Sequence, residues 1–477
     1  MSTNTQPYAL CVDLDRTLID SDFLWESVVR IFARSPLRAI VVAVKLMRGH
    51  FLFDRQLDEK QSIDITTLTF KPAIVAMVQA ARARGETTVL ITESPETYAH
   101  QMATHLPLFD TVLVTGSEDG ALTGNMKAQL LVDRYGEQGF AYAGSSSDDL
   151  VVWTHAGRVI LVDAEASLSG KLELLGVKHE RISTRTFSLK TWARQLRLHH
   201  WVKNLLVLAP LVVTWGQSDL TALTRTVLVF VAFCLLASAS YICNDLSDLD
   251  SDRGHATKRF RPLASGKISI PQALIAAAVL AVGAFFIAAI VSPTVVGVLT
   301  LYALVTLSYS AYFKKVAIAD VIILAGLYTS RVIAGCAALG VIPSIWLLLF
   351  SVFIFFSLAL MKRCADLVNQ GVKLSGRGYV PGDERVLIPL GTSSGIGSVL
   401  VLGLYIDSFT AATHYQTPAL LWLLLPMLLF WISRAWILTA RGKMRDDPVL
   451  FAIRDKVSLG TGLGLILITL AATVVSI

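Results

Sequence analysis

The chain has 477 residues, of which 54% are hydrophobic and 16% are charged, and its mean hydropathy is +0.59. This length is too great for one ordinary domain, and the hydropathy excludes a purely soluble enzyme. The formal net charge of +6 matters less than the distribution of the charges. The basic residues cluster between apolar segments, so a membrane partner and no nucleic acid are expected. The five cysteines are scattered without a CxxC pair, so neither a disulfide framework nor a zinc site is predicted.

A buried strand is predicted from Ala9, and it ends in Asp13-Leu-Asp15. Strand side chains alternate, so these two carboxylates point the same way. Open α/β folds place their chemistry where a strand meets a loop. Paired carboxylates there suit Mg²⁺, with one carboxylate attacking a phosphorus atom and the other moving a proton. The alternative is a merely polar strand end.

Three later features follow in a fixed order. Thr88–Thr92 is a second apolar strand that ends in a hydroxyl, and Lys127 opens a helix after a Gly-Asn turn. A third strand begins at Phe140 and ends in a Gly-Ser turn with Asp148 and Asp149. In this order the features resemble the haloacid dehalogenase (HAD) superfamily of phosphatases, over roughly residues 8–165.

The resemblance implies a role for each of these residues. Asp13 is the nucleophile that forms an aspartyl-phosphate, and Asp15 is the general acid/base. Thr92 and Lys127 hold the phosphate, while Asp149 joins the first two carboxylates in holding Mg²⁺. A phosphatase domain over residues 1–185, with a largely helical cap near 21–84, is therefore expected.

The last motif departs from the family, in which it usually begins Gly-Asp. Here Ser145 follows Gly144, and a serine is a poor Mg²⁺ ligand. Two outcomes remain open. Either Asp148 or Asp149 compensates, or the phosphatase activity is weak or lost.

The remaining residues, 186–477, predict an all-α membrane domain. Ser188–Leu198 reads as an amphipathic helix at the membrane surface or as a continuation of the first span. About nine apolar segments have spanning length, near 203–216, 222–242, 271–291, 294–312, 318–338, 343–361, 388–408, 418–438 and 457–476. Lys and Arg concentrate in alternate connections, so the positive-inside rule predicts a cytoplasmic N-terminal domain. An odd number of spans would put the C-terminus outside.

The second predicted span ends in an acidic stretch. Asn244, Asp248 and Asp252 repeat every four residues and share a helical face, with Asp245 beside them. Carboxylates at a membrane surface are costly unless they have a task, and Mg²⁺ suits them. The basic residues that would grip phosphates directly follow, namely Lys258, Arg259 and Arg261. The alternative is a solvated, charge-balanced loop.

This NDxxDxxxDR and KRxRP pattern resembles the UbiA superfamily of intramembrane prenyltransferases, over about residues 190–477. That family's second acidic region is reduced here to Asp320, which is either a metal ligand or a partner of Lys314 or Arg331. His199–Asn204, the KRxRP run and the later Lys362-Arg363 and Arg377 loop are most similar to one branch. That branch, the decaprenyl-phosphate phosphoribosyltransferases, moves phosphoribose from 5-phosphoribosyl diphosphate (PRPP) to a polyprenyl phosphate.

The resemblance implies that Asp245, Asp248 and Asp252 hold Mg²⁺ and act in catalysis at a bacterial inner membrane. The residues expected to bind the anionic substrates are Lys203, Asn244, Lys258, Arg259, Arg261, Lys314, Asp320, Arg331, Lys362 and Arg377. The fused phosphatase would then remove the 5-phosphate from the product. One alternative is prenyl transfer from a polyprenyl diphosphate to an aromatic or other acceptor, with a degenerate or regulatory HAD domain. Another is a transporter or scaffold in which only the phosphatase is an enzyme. The sequence leaves the lipid length and the oligomeric state open.

Overall fold

The computed structural model describes residues 8–34, 63–93, 96–114, 124–184, 187–214, 219–370, 377–408, 411, 415–444 and 447–475. The chain divides into two compact units. The first comprises Met1–Gln195 with Ile242–Ile275, and the second comprises Leu196–Tyr241 with Ala276–Ile477. The acidic stretch therefore belongs to the same unit as the N-terminal domain.

A six-stranded parallel sheet forms the body of the first unit, in the order β3-β2-β1-β4-β5-β6. Its strands are β1 (Ala9–Asp13), β2 (Thr87–Thr92), β3 (Thr111–Val114), β4 (Phe140–Gly144), β5 (Arg158–Val162) and β6 (His179–Ile182). The described helices up to residue 195 are α1 (Phe23–Arg34), α2 (Pro72–Ala83), α3 (Glu96–His105), α4 (Gly124–Tyr135), α5 (Leu150–His155), α6 (Ala166–Leu174) and α7 (Leu189–Gln195). The predicted α/β domain and its three strands are confirmed.

Both faces of the sheet are buried, as is usual for parallel sheets. Along β1, Leu10 and Val12 join one hydrophobic cluster, whereas Ala9 and Cys11 join the other. This alternation follows from the two-residue period of a strand. The continuous apolar sequence of β1 is thus explained by packing on both faces of the sheet.

The carboxyl ends of three neighbouring strands meet at one edge of the sheet. In register, Asp13 lies beside Ile91 of β2, and Val12 lies beside Ala143 of β4. Thr92 ends β2, so it reaches the same edge as Asp13. This edge is where the sequence predicts the phosphatase chemistry.

The region predicted as a cap is described only in part, since residues 35–62 lie outside the described ranges. Helix α2 lies near the C-terminal end of the predicted cap region. It contributes Ile74 and Val78 to a hydrophobic cluster on one face of the sheet. It therefore packs as a core helix that leads into β2.

From residue 209 onward, the described helices are α8 (Ala209–Val213), α9 (Leu220–Ser247), α10 (Leu249–Gly254), α11 (Ile270–Val291), α12 (Pro293–Ala311), α13 (Ala319–Leu339), α14 (Ile345–Gln370), α15 (Glu384–Ile406), α16 (Leu424–Ala440), α17 (Pro448–Arg454) and α18 (Lys456–Val474). Among the described residues, eight helices are long and apolar enough to cross a membrane. They are α9, α11 to α16 and α18, with a 3-10 turn extending α16 at its start. The chain is an integral membrane protein.

The first predicted span differs from the other eight. In place of a long α-helix, the structure has a 3-10 helix at Leu198–Leu208 followed by α8, which begins around Pro210. A left-handed Arg197, with φ of 51°, separates this segment from α7. The amphipathic helix is thus a separate element, and the interpretation of Ser188–Leu198 as a continuation of the first span is wrong.

Small residues let the membrane helices approach closely in the second unit. A Cβ atom on Gly391 of α15 would collide with the ring of Trp436 of α16. The indole Nε1 of Trp436 donates to Ser357 Oγ at 3.1 Å, and Ser357 donates in turn to the Gly391 carbonyl at 2.6 Å. Close backbone approach and buried hydrogen bonds are the usual means of holding helices together in lipid.

Candidate active sites

The carboxyl edge of the sheet collects three acidic side chains around one buried lysine. Lys127 Nζ lies 3.1 Å from Asp13 Oδ1, 3.1 Å from Glu93 Oε1 and 3.8 Å from Asp149 Oδ1. Burial raises the pKa of Asp13 to about 8, although the charge of Lys127 acts in the opposite direction. Lys127 therefore opposes the protonation of Asp13 that burial favours.

The turn after β1 positions the other predicted residues. Thr17 Oγ1 donates to Asp13 Oδ2 at 3.4 Å. Asp15 Oδ1 accepts the backbone N–H of Phe23 at 3.0 Å, at the start of α1. Thr92 is buried at the end of β2. The structure thus brings Asp13 and Lys127 into direct contact and anchors Asp15 to the first turn of α1.

The Ser-rich turn after β4 is organised by Asp149. Its Oδ2 accepts from the backbone N–H groups of Ser145 at 3.0 Å and Ser146 at 2.9 Å, and from Ser146 Oγ at 3.0 Å. Its Oδ1 accepts from Tyr142 OH at 2.7 Å. Asp148, by contrast, is exposed. Of the two acids that the sequence offered as substitutes for the missing aspartate, only Asp149 faces Lys127.

The acidic stretch of the first unit forms a second site. Asp245 and Asp252 are both buried, and Arg261 Nη1 bonds to both of them, at 3.1 Å from Asp245 Oδ1 and 2.5 Å from Asp252 Oδ2. Gln195 Nε2 donates to Asp245 Oδ2 at 3.0 Å. The two carboxylates that share this partner are thus seven residues apart, one at the end of α9 and the other in α10.

The other residues of this stretch lie around that pair. Asp248 is half-buried at the junction of α9 and α10, and Asn244 precedes it by one turn. Lys258 Nζ lies 4.0 Å from Asp252 Oδ1. Arg259 is exposed, with its guanidinium 4.9 Å from the centre of the Phe260 ring. Lys258 therefore accompanies Arg261 at the carboxylates, whereas Arg259 contacts an aromatic ring.

The chemistry of this donor set fits a divalent cation. Within the described part of the chain, no three His, Cys, Asp or Glu side chains converge closely enough to form a metal site by themselves. However, Gln195 Oε1 is buried without a hydrogen-bond partner, on the side chain that bonds to Asp245. Carboxylate and amide oxygens are suitable ligands for Mg²⁺. In the structure, the single positive charge of the Arg261 guanidinium offsets only one of the two negative charges of Asp245 and Asp252.

In the second unit, two predicted lysines share one carboxylate. Asp447 Oδ2 lies 2.6 Å from Lys203 Nζ and 3.0 Å from Lys362 Nζ, and Tyr328 OH lies 3.5 Å from Asp447 Oδ1. Burial raises the pKa of Asp447, but the charges of Lys362 and Lys203 outweigh it and hold that pKa well below its usual range. Two ammonium groups on one carboxylate leave a net positive charge.

Asp320 is held in a separate network of the second unit. Its Oδ2 lies 2.6 Å from Arg363 Nε and 3.6 Å from Arg377 Nη1, and its Oδ1 accepts from Tyr379 OH at 2.5 Å. Arg363 also bonds to Tyr309 OH at 3.2 Å. The ion-pair partners are thus Arg363 and Arg377, rather than the Lys314 or Arg331 that the sequence suggested.

The remaining two predicted cations lie elsewhere in this unit. Arg331 is buried in α13, where its Nε donates to Asn204 Oδ1 at 2.8 Å and its Nη2 donates to Tyr302 OH at 3.1 Å. Lys314 lies in the 3-10 turn Phe313–Lys315. Arg331 is therefore tied to neutral partners.

The sequence interpretation missed several residues that the structure places in these sites. Asp447 follows an Arg- and Lys-rich loop, where an acid gave no distinguishing signal. Gln195 ends a short amphipathic helix, 50 positions before Asp245. Glu93 directly follows the predicted Thr92 strand end, and this position at the carboxyl edge was the one available signal.

Comparison with known proteins identifies both parts of the chain. The model of the UbiA prenyltransferase family matches residues 205–460, and that of haloacid dehalogenase-like hydrolases matches residues 10–138. The chain is 34% identical over 456 residues to the uncharacterized protein y4nM of Sinorhizobium fredii, covering 94% of this chain and 88% of that protein.

Two shorter relatives are similar to about half of the chain. Nodulation protein NoeC of Azorhizobium caulinodans is 32% identical over 284 residues, covering 58% of this chain and 91% of that protein. Decaprenyl-phosphate phosphoribosyltransferase of Mycolicibacterium smegmatis is 30% identical over 279 residues, covering 55% of this chain and 86% of that protein.

Proposed function

The chain belongs to the UbiA prenyltransferase family and carries a HAD hydrolase domain, and we propose that it transfers phosphoribose from PRPP to a polyprenyl phosphate. In this proposal the reaction requires Mg²⁺, and the HAD domain then removes the 5-phosphate from the lipid-linked product. The similarity to decaprenyl-phosphate phosphoribosyltransferase supports the choice of donor and acceptor.

The observation that carries the proposal is the pair of buried carboxylates bridged by Arg261. Asp245 and Asp252 are 4% and 2% exposed, and such groups are costly to bury unless a cation neutralises them. With Asp248 and Gln195, they would hold Mg²⁺. When bound, this ion would draw charge from a leaving diphosphate. A donor with a diphosphate leaving group therefore suits this site.

The basic side chains then act on the phosphates. Arg261 and Lys258 lie at these carboxylates, where they would form charge-assisted hydrogen bonds to the diphosphate. In the second unit, Lys203 and Lys362 carry a net positive charge over Asp447, which suits a further phosphate group. The lipid phosphate oxygen attacks the anomeric carbon, and the bond from that carbon to the diphosphate breaks.

The HAD domain would act on the phosphoester so formed. Asp13 attacks the phosphorus and takes the phosphoryl group, while Asp15 protonates the departing ribose oxygen. Water then releases inorganic phosphate from the aspartyl-phosphate, with Asp15 accepting its proton. Lys127, 3.1 Å from Asp13, is placed to neutralise the phosphoryl oxygens.

The topology supports a shared membrane side for the two activities. Gln195 bonds to Asp245, so the end of α7 and the end of α9 lie on one side. Since α9 crosses once, the segment Leu198–Val213 must cross as well. A 3-10 helix rises about 2.0 Å per residue, so its 11 residues and the 5 of α8 span roughly 30 Å. With basic loops inside, the N-terminal domain is cytoplasmic at a bacterial inner membrane.

The test uses purified full-length protein in detergent with Mg²⁺, a polyprenyl phosphate and ribose-labelled PRPP. Label should enter the organic phase, and mass spectrometry should find the lipid-linked ribose without its 5-phosphate. Asp248→Ala should abolish transfer. Asp13→Asn should leave transfer intact and accumulate the phosphorylated lipid. Absence of label, with consumption of a polyprenyl diphosphate instead, would refute phosphoribosyl transfer and favour prenyl transfer.

A further inference from the structure

Helix α1 of the HAD domain forms a buried ion pair with the acidic stretch of the transferase. Arg253 Nη2 and Nη1 bond to the two carboxylate oxygens of Glu26, at 2.7 and 3.1 Å. The side chains are 1% exposed for Glu26 and 5% for Arg253. Bidentate arginine–carboxylate pairs fix orientation as well as charge.

A second ion pair repeats this arrangement one helical turn along α1. Arg30 Nη2 and Nε bond to Asp250 at 2.8 and 3.1 Å, and Arg30 Nη1 lies 3.5 Å from Glu26. Glu26 and Arg30 are four residues apart on α1, so they share a face. Their partners, Arg253 and Asp250, both lie on α10, so two ion pairs connect α1 to α10.

Helix α10, which the two ion pairs connect to α1, carries Asp252. α10 has six residues, and a helix this short has little stability of its own. The chain after α10 also contacts the N-terminal domain, because Thr69 Oγ1 donates to the Ala264 carbonyl at 3.4 Å. Gly266, at a left-handed φ of 72°, packs so closely on Asp20 that a Cβ atom would overlap its side chain. The HAD domain thus contacts α10 and the segment that follows it at four places.

We propose that Glu26 and Arg30 are positioning residues of the transferase, which hold α10 so that Asp252 and Asp248 are correctly oriented. The HAD domain is then a structural part of the transferase site, independently of its own phosphatase chemistry. This inference rests on the proposed function only for the identity of the reaction. Loss of the Glu26 carboxylate leaves the Arg253 guanidinium buried without its counter-charge. We expect α10 to shift so that this guanidinium regains contact with water.

The experiment compares full-length wild type with Glu26→Gln and Arg30→Gln. Glu180→Gln is the matched control, because it removes an equally bidentate pair, with Arg158, that is exposed. Hydrogen–deuterium exchange should increase about tenfold or more in peptides covering α10 for Glu26→Gln, and remain unchanged for the control. The Mg²⁺ concentration for half-maximal transfer should rise about tenfold, as is typical for loss of a residue that orients metal ligands.

Two further measurements separate positioning from general destabilisation. If a variant merely loses folded protein, its total activity should fall, but its Mg²⁺ concentration for half-maximal transfer should stay the same. In a double-mutant cycle, Glu26→Gln with Arg253→Gln should cost less than the sum of the single changes. If Glu26→Gln does not fold, Arg30→Gln provides the same comparison, because its partner Asp250 is half exposed.

The outcomes distinguish the inference from the proposed reaction. If wild type transfers no phosphoribose, the proposed function fails, and the exchange comparison still decides the role of Glu26. The inference would be overturned if Glu26→Gln and Arg30→Gln showed the same hydrogen–deuterium exchange in α10 and the same Mg²⁺ concentration for half-maximal transfer as Glu180→Gln.

Discussion

Asp447 binds the ammonium group of Lys203 at 2.6 Å, although the two residues lie 244 positions apart in the chain. Both are buried, and Lys362 shares the same carboxylate oxygen at 3.0 Å. A carboxylate partner permits a buried lysine to remain charged. The pair therefore joins two distant segments of the membrane domain.

Replacement of Asp447 by Asn should destabilise the protein by about 3–5 kcal/mol, because it leaves Lys203 and Lys362 without a counter-charge. Thermal unfolding in detergent measures this loss. Asp455→Asn, which breaks a more exposed pair with Arg434, is the control and should cost less. Equal losses in the two variants would contradict the importance of burial.

The same ion pairs predict a pH dependence. The folded-state pKa of Asp447 lies well below its unfolded value, so the stabilisation is complete above the unfolded pKa and disappears as the pH falls through the folded one. The difference in melting temperature between wild type and Asp447→Asn should therefore stay constant from pH 8 to about pH 5 and shrink below about pH 4. A difference that vanishes already at pH 6 would refute this assignment.

Asp320 and Arg363 should behave as a coupled pair. Each single change, Asp320→Leu or Arg363→Met, leaves a buried charge and should cost about 3–5 kcal/mol. The double variant removes both charges and should recover most of that loss. Unfolding of the four proteins in detergent measures the coupling. Additive losses would mean that Asp320 has another principal partner, such as a bound metal.

Removal of Arg261 should make the stability depend on Mg²⁺. Arg261 bridges Asp245 and Asp252, so Arg261→Ala leaves two buried carboxylates that a divalent cation must neutralise. The increase in melting temperature on adding Mg²⁺ should be larger in Arg261→Ala than in wild type. Arg259→Ala, which removes an exposed neighbour, is the control and should match wild type. Equal increases in all three proteins would exclude metal binding by these carboxylates.

The Ser145→Asp change should strengthen the phosphatase. Ser145 Oγ lies 3.4 Å from the Asp15 carbonyl oxygen, so an aspartate there would place a carboxylate beside another hard oxygen ligand. The Mg²⁺ concentration for half-maximal phosphate release should fall about tenfold, which corresponds to about 1.4 kcal/mol. Phosphate release from the lipid-linked product measures this. An unchanged requirement would indicate that Asp149 already completes the site.

Local patterns in the sequence were sufficient to predict most of the strands and helices that hold the candidate sites. The strand that ends in Asp13, the helix that contains Lys127 and the long apolar spans were predicted from signals that each lie within one short stretch of chain. The Gly124-Asn125 pair, predicted as a turn before that helix, instead forms its beginning, because the helix starts at Gly124. The helical repeat likewise identified the acidic stretch. It gave Asn244, Asp248 and Asp252 as the shared face, whereas the structure brings Asp245 and Asp252 to one guanidinium.

Only the tertiary structure decided the partners of the charged groups. Asp447 with Lys203, Asp320 with Arg363, and Glu26 with Arg253 are each separated by 43 to 244 positions. Buried charges require counter-charges, but a long side chain can find one on any element that packs against it, and a single sequence does not encode that packing as a local pattern. The sequence therefore determined the strands, the helices and the candidate residues, and the packing of distant elements determined which charged groups are in contact.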